Sequence, residues 1–196
     1  MAWSWTTLTA ELGRVLDDED SSNPAHGENA RLDGLNAALR AMMAYRPLQV
    51  KVTHTSVSQI TLPADCYQIE ALLETDGSGN ASSMAPAEVG ESVGYYVWNG
   101  IIYLPEVVDT VTLFYQAYYP TVTGATTDIP VPIWARTAVL YRTAAHCLVP
   151  NQVSRARLGA FHDRQDAGPL DNSLIQSSNW LIAEFERIMT EHKHAL

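Results

Sequence analysis

"YYVWNGIIYLPEVVDTVTLFYQAYYP", Tyr95 to Pro120, holds six of the chain's nine tyrosines, with Trp98 and Phe114 among them. Asn99-Gly100 sits between two apolar runs, the signature of a type I′ hairpin, because both central residues must take positive φ. Pairing across that turn sets Trp98 opposite Ile101, Val97 opposite Ile102, and Tyr96 opposite Tyr103. Trp98, Ile101, Tyr96 and Tyr103 then share one face, and Val97, Ile102, Tyr95 and Leu104 the other. Both faces are apolar. "TVTLFYQAYY" (110–119) adds a further strand, so the stretch predicts a small antiparallel module, sandwich-like or barrel-like.

Working outward, period-two alternation also marks "QVKVTHT" (49–55), "SVSQITL" (56–62) and "YQIEALLE" (67–74), the last with Tyr67, Ile69, Ala71 and Leu73 on one face. "TDGSGNASSMAP" (75–86) reads as a loop tip. On either side the period becomes helical. Trp5, Leu8, Leu12, Val15 and Leu16 form a stripe over 4–17, and Leu32, Leu35, Leu39, Met42 and Met43 another over 28–45. Arg46-Pro47 ends that second helix. Beyond the strands, Pro132 opens a helix over 133–148 that is apolar nearly all round and therefore central. Pro150-Asn151 breaks it, 153–167 forms a weaker helix, and Gly168-Pro169 stops that one. A last helix follows over 174–192, with Ile175, Ser178, Ile182, Phe185 and Met189 at heptad-like spacing and Trp180 off the stripe.

These readings predict an α+β chain: a helical bundle of two N-terminal and three C-terminal helices, interrupted by a small antiparallel β-module. The expected boundaries are an N-terminal hairpin over 1–48, the β-module over 49–122, completing helices over 130–167, and a C-terminal helix or arm over 170–196.

Hydrophobic residues make up 46% of the 196 and charged ones 17%, which is ample core and little charge for a monomer that stands alone. A formal net charge of −10 opposes non-specific DNA binding, which relies on Lys and Arg displacing counterions. The opening "MAWSWTTLTAELGRVL" lacks the basic start and apolar run of a signal peptide, and no stretch approaches the ~18 apolar residues of a membrane helix. Cys66 and Cys147 lie far apart and read as reduced, buried thiols.

A search for catalytic patterns returns little. No nucleophile elbow, phosphate-binding Gly-Lys loop or His-Glu-x-x-His motif is present. "DGSGN" (76–80) is Gly-rich but has no following Lys. "HKH" (192–194) reads as a tail before a metal site. His146 and Cys147 are neighbours on a helix, about 100° apart, so they do not converge as a catalytic couple, and both read as core. The residues call for no cofactor and no metal. Aromatic stacking on nucleic acid normally comes with basic residues, yet Tyr95–Pro120 contains no Lys or Arg. Core packing plus a subunit contact accounts for the tyrosines. The alternative is a stacking face for a glycan or host surface.

"ENARLDGLNAALRAMMAYRP", "SQITLPADCYQIEALLETDG", the hairpin through "TLFYQAYYP", and "IPVPIWARTAVLYRTAAHCL" stand in an order that resembles the head-to-tail adaptor (connector) proteins of tailed bacteriophages. The resemblance covers about residues 4–167 and rests on order and spacing, since each motif is short and apolar. It implies a non-enzymatic virion protein at the neck, assembled in the host cytoplasm. Such a protein joins the phage portal protein as a ring, twelvefold in symmetry, extends the DNA channel without binding DNA specifically, and docks a downstream tail or tail-terminator protein. A C-terminal segment that reaches the portal maps here to Trp180, Phe185, Met189 and Leu196. The inter-subunit candidates are Arg31, Asp33 and Arg40 outside the stripe of the second helix, with Tyr96, Trp98 and Tyr103 on the hairpin.

Overall fold

The computed structural model describes residues 3–19, 25–89, 91, 93–124, 128–162 and 173–193. In chain order the elements are β1 (Trp3–Ser4), α1 (Trp5–Leu16), α2 (Glu28–Met43), β2 (Leu48–Thr61), β3 (Cys66–Thr75) and β4 (Ala81–Met84). There follow β5 (Tyr96–Trp98), β6 (Ile101–Ala117), β7 (Asp128–Ile129), a 3-10 turn at Ile133–Ala135, α3 (Arg136–His162) and α4 (Ser173–His192). The chain divides into two compact units, Met1–Arg46 with Thr121–Leu196, and Pro47–Pro120.

In the unit containing the helices, α3 packs against α1, α2 and α4. Ser4 caps α1 by accepting the Thr7 N–H at 3.2 Å, which satisfies one of the donors a helix start leaves unpaired. Trp5, Leu8 and Leu12 are buried on its inner stripe, as are Leu35, Ala38, Leu39 and Met42 on that of α2. Gly34 lets α2 approach α3 closely: a Cβ there would stand 3.1 Å from the Thr143 carbonyl oxygen. The returning chain is pinned to α2 by Asn36, whose amide donates to the Val122 carbonyl at 3.0 Å and accepts its N–H at 2.9 Å. On α4 the buried residues are Ser178, Leu181, Phe185 and Met189. That stripe is rotated from the one expected through Ile182. Ser178 is accommodated by donating to the Ala145 carbonyl at 3.4 Å.

The other unit is one five-stranded antiparallel sheet, ordered β2-β6-β3-β4 with β5 on β6. Its hairpin has the register the Asn99-Gly100 turn dictates, Trp98↔Ile101, Val97↔Ile102 and Tyr96↔Tyr103, with φ of 50° and 74° at the two turn residues. A Cβ on Gly100 would meet nothing within 4 Å. Gly100→Ala is therefore a pure backbone test, expected to cost about 1 kcal/mol in a denaturant melt with the sheet otherwise intact. Ile60, Leu72, Tyr95, Ile102, Leu104, Val108, Val111, Leu113, Tyr115 and Ala117 form its buried core.

The expected helical bundle with a small β-module is thus corrected. The described residues hold four α-helices and a sheet whose longest strands run 14 and 17 residues, with a second, two-stranded sheet formed by β1 and β7. Two prolines explain much of the difference. Pro150 was expected to end a helix, but α3 runs through it; proline forbids one hydrogen bond, not helical φ. Pro105 lies inside β6, where two steps on β2 (Val57 to Gln59) answer to five on β6 (Val108 to Tyr103). A bulge is where a strand tolerates a residue without an N–H. A further irregularity between Ile69 and Ala71 turns Leu72, not Leu73, into the core.

Candidate functional site

Two exposed aromatic surfaces stand out, one in each unit. In the sheet unit the turn carries Trp98, 63% exposed, with Val97 beside it. Tyr96 and Tyr103, opposite each other in the hairpin, stack at 5.0 Å between centroids and 11° between planes. Cross-strand pairing presents such rings side by side without a ligand. Tyr96 and Tyr103 are half-buried, whereas Tyr67 and Tyr118, at 5.5 Å, form an exposed pair that the alternation does not predict. The alternation sets Tyr67 on the face of Ile69, Ala71 and Leu73, and the register shifts of β3 at Cys66/Gln68 and Ile69/Ala71 break that parity.

In the other unit Trp180 is 56% exposed and tilts against Tyr141 at 5.7 Å. The two rings, with Val15, Leu16, Leu148 and Leu181, wall a surface groove of about 540 Å³ whose polar members are Asp17, Gln176 and Ser177. Trp180 reaches this surface because α4 buries Ser178, Leu181 and Phe185, and one step along a helix turns a side chain by about 100°. Phe185 and Met189 point the other way and are 2% and 0% exposed. Phe185 lies edge-on to Tyr45 at 5.9 Å and under the Arg142 guanidinium, also at 5.9 Å. Leu196 lies outside the described residues.

Of the charged candidates, Asp33 and Arg40 are exposed on α2. Arg31 is engaged within its own unit, 2.8 Å from the Asp18 carboxylate, with side-chain exposures of 13% and 4%. Asp18 also accepts the N–H of Ala25 at 2.8 Å and of His26 at 3.1 Å. Burial pushes its carboxyl up, but these two N–H groups and Arg31 outweigh that and hold it below the usual carboxylate range. Sequence pattern could not find this pair, since thirteen positions separate the partners with a turn between them.

The Gly-rich loop and the buried thiol are both accounted for within the fold. Asp76 closes the Gly-rich loop by accepting the N–H of Ser78 at 2.9 Å and of Asn80 at 2.8 Å, so those donors face a carboxylate and not a phosphate. Burial pushes the Cys147 thiol up to about 11, which keeps it protonated at neutral pH. His146, expected in the core, is exposed beside it. Among the described residues no group of three His, Cys, Asp or Glu side chains is placed to hold a metal, and no helix is long and apolar enough to cross a membrane.

No curated protein matches the chain. Residues 4–171, which take in everything through α3 and leave α4 outside, match the SU10 adaptor protein family. With a match of that extent, the chain belongs to the SU10 adaptor protein family, and its role is the structural one of a phage adaptor in the virion.

Proposed function

We propose that the protein is a head-to-tail adaptor that assembles as a ring, twelvefold in symmetry, on the phage portal protein, extends the DNA channel, and docks the next tail or tail-terminator protein. The observation that carries this reading is the adaptor-family match over residues 4–171. The surfaces suit it. Exposed Trp98 and Trp180 on a chain with 17% charged residues are what neighbouring subunits cover in an assembly. A net charge of −10 lets DNA pass without adhering. Within α4, Trp180 is the portal-facing residue, and Phe185 and Met189 fix that helix from inside; Leu196 is a further portal-contact candidate. Asp33, Arg40, Tyr96, Trp98 and Tyr103 face neighbouring copies, whereas Arg31 is engaged with Asp18 within its own unit.

Purified protein mixed with portal particles should give ring-bound copies by electron microscopy and light scattering. A chain that stays monomeric beside the portal overturns the reading. Trp180→Ala should lower the portal-bound fraction about tenfold or more, as loss of an aromatic anchor does, while thermal unfolding stays close to that of the unsubstituted chain. A second reading has one observation in its favour: the nearly parallel Tyr96–Tyr103 stack beside exposed Trp98 could receive a sugar ring. A glycan array with Trp98→Ala as control decides it. Binding that disappears with the indole, the fold being retained, supports a glycan or host-surface role.

A further inference from the structure

The five-stranded sheet has two unlike edges. At one side β2 runs for 14 residues and, among the described residues, pairs with β6 alone. It contains no proline, no acid and a single basic residue, Lys51. Natural edge strands are usually shortened, charged or interrupted to prevent pairing with another chain. β2 has one lysine and a bend at Ser56, φ 52°, and most of its length is left open. At the other side lie β4 and, beyond its end, the uncovered part of β3. Residues 65–84 on that side carry Asp65, Glu70, Glu74 and Asp76 and no Lys or Arg.

The registers place the two edges level. One row crosses the sheet as Thr55–Thr110–Thr75–Ala81, and another as Val52–Leu113–Leu72–Met84. β4 therefore stands at the height of Val52–Thr55 on the far side, and antiparallel to β2, since three antiparallel steps separate them. A second copy brought alongside can lay β4 against β2 with no offset. Because β4 is only four residues long, it leaves a notch beside Cys66–Ala71. Lys51 lies at the level of that notch, in the row Lys51–Phe114–Ala71. Its exposed Nζ sits over the Phe114 ring at 5.6 Å. Exposed Glu70 bonds Gln116 at 2.9 Å on the same strand face as Phe114. With a neighbour's β4 against β2, its Glu70 on β3 would lie two strand spacings, about 10 Å, from Lys51 across the notch, a gap that the two extended side chains can bridge.

We infer that copies of this chain join edge to edge, β2 of one against β4 of the next, with Lys51 reaching Glu70 of the neighbour across the notch. Such a contact uses two different patches and is head-to-tail, the kind that closes into a ring, with backbone hydrogen bonds supplying adhesion and the charges the register. The inference rests on the ring reading above and names the surface that makes the ring.

Isotopically light and heavy full-length protein, mixed and assembled on portal particles, provides the test. A carbodiimide, which joins an amine to a carboxylate without a spacer, should give heavy–light links between Lys51 and Glu70. Lys51→Glu should reduce ring occupancy about fivefold per contact at low salt, and Lys51→Glu with Glu70→Lys should restore it. Circular dichroism checks that each variant folds. Rings that form without the heavy–light Lys51–Glu70 link, or with Lys51 linked to a carboxylate elsewhere on the neighbour, overturn the edge contact and leave the ring reading standing. Absence of any ring on the portal overturns both.

Discussion

Asp18→Ala is expected to destabilise the unit containing the helices by about 3 kcal/mol or more, the usual result of removing one partner of a buried ion pair. The Asp18 side chain is 4% exposed and that of Arg31 13%, so the substitution strands a guanidinium where water cannot solvate it. It also unpairs the N–H groups of Ala25 and His26. For a chain of this size that corresponds to a fall in melting temperature of about 6–12 °C, measurable by calorimetry. Asp18→Asn keeps part of the hydrogen bonding and should lose less. The pH dependence has a definite sign. The folded-state pKa of Asp18 is lowered, so its contribution is complete above the unfolded value near 4 and disappears as pH falls through the folded value. The gap between Asp18→Ala and the unsubstituted chain should therefore narrow on acidification. A gap that widens below pH 4 would contradict the assignment.

Phe185→Ala should have a comparable or larger effect, about 3–5 kcal/mol, because it removes a ring that is 2% exposed and leaves a cavity between α4 and its neighbours. The edge-on contact with Tyr45 and the Arg142 guanidinium over the ring go with it. Its comparison with Trp180→Ala is informative. Both residues are aromatic and five positions apart on α4, yet one is buried and the other 56% exposed. Phe185→Ala should appear in the melt, and Trp180→Ala in portal binding with the melt nearly unchanged. A large loss of stability on Trp180→Ala would place its indole in the core and remove it as an anchor.

What the amino acids announced in advance was what is decided over short distances. The Asn99-Gly100 turn needs only its own two φ angles, and from it the whole register of β5 on β6 follows. The stripes of α1 and α2 repeat within a few turns, and the helix ends were placed to within two residues, although Val15, expected on the inner stripe of α1, is exposed. Features that depend on distant partners were missed. Trp3 gives no strand signal of its own and is extended because Ile129, far along the chain, pairs with it. Pro150 reads locally as a stop, but α3 runs through it, and the strand expected over 110–119 is continuous with the hairpin strand in β6. Leu72 takes the buried place expected of Leu73 because an irregularity against β6 resets the alternation. Trp180 was seen to lie off its stripe, but the groove beside it needs Val15 and Tyr141 from two other helices.

The order of the units along the chain has a consequence for biosynthesis. Residues Pro47–Pro120 form a unit whose first and last strands already pair, Leu48 with Ala117, so it can close as soon as it leaves the ribosome. α1 and α2 emerge earlier, but the helix that covers them begins at Arg136. Roughly ninety residues separate α2 from that partner, a delay of about 5–20 s at bacterial translation rates. For that interval Leu35, Leu39 and Met42 lack their mate, and a nascent-chain protease pulse or trigger-type chaperone should find them there.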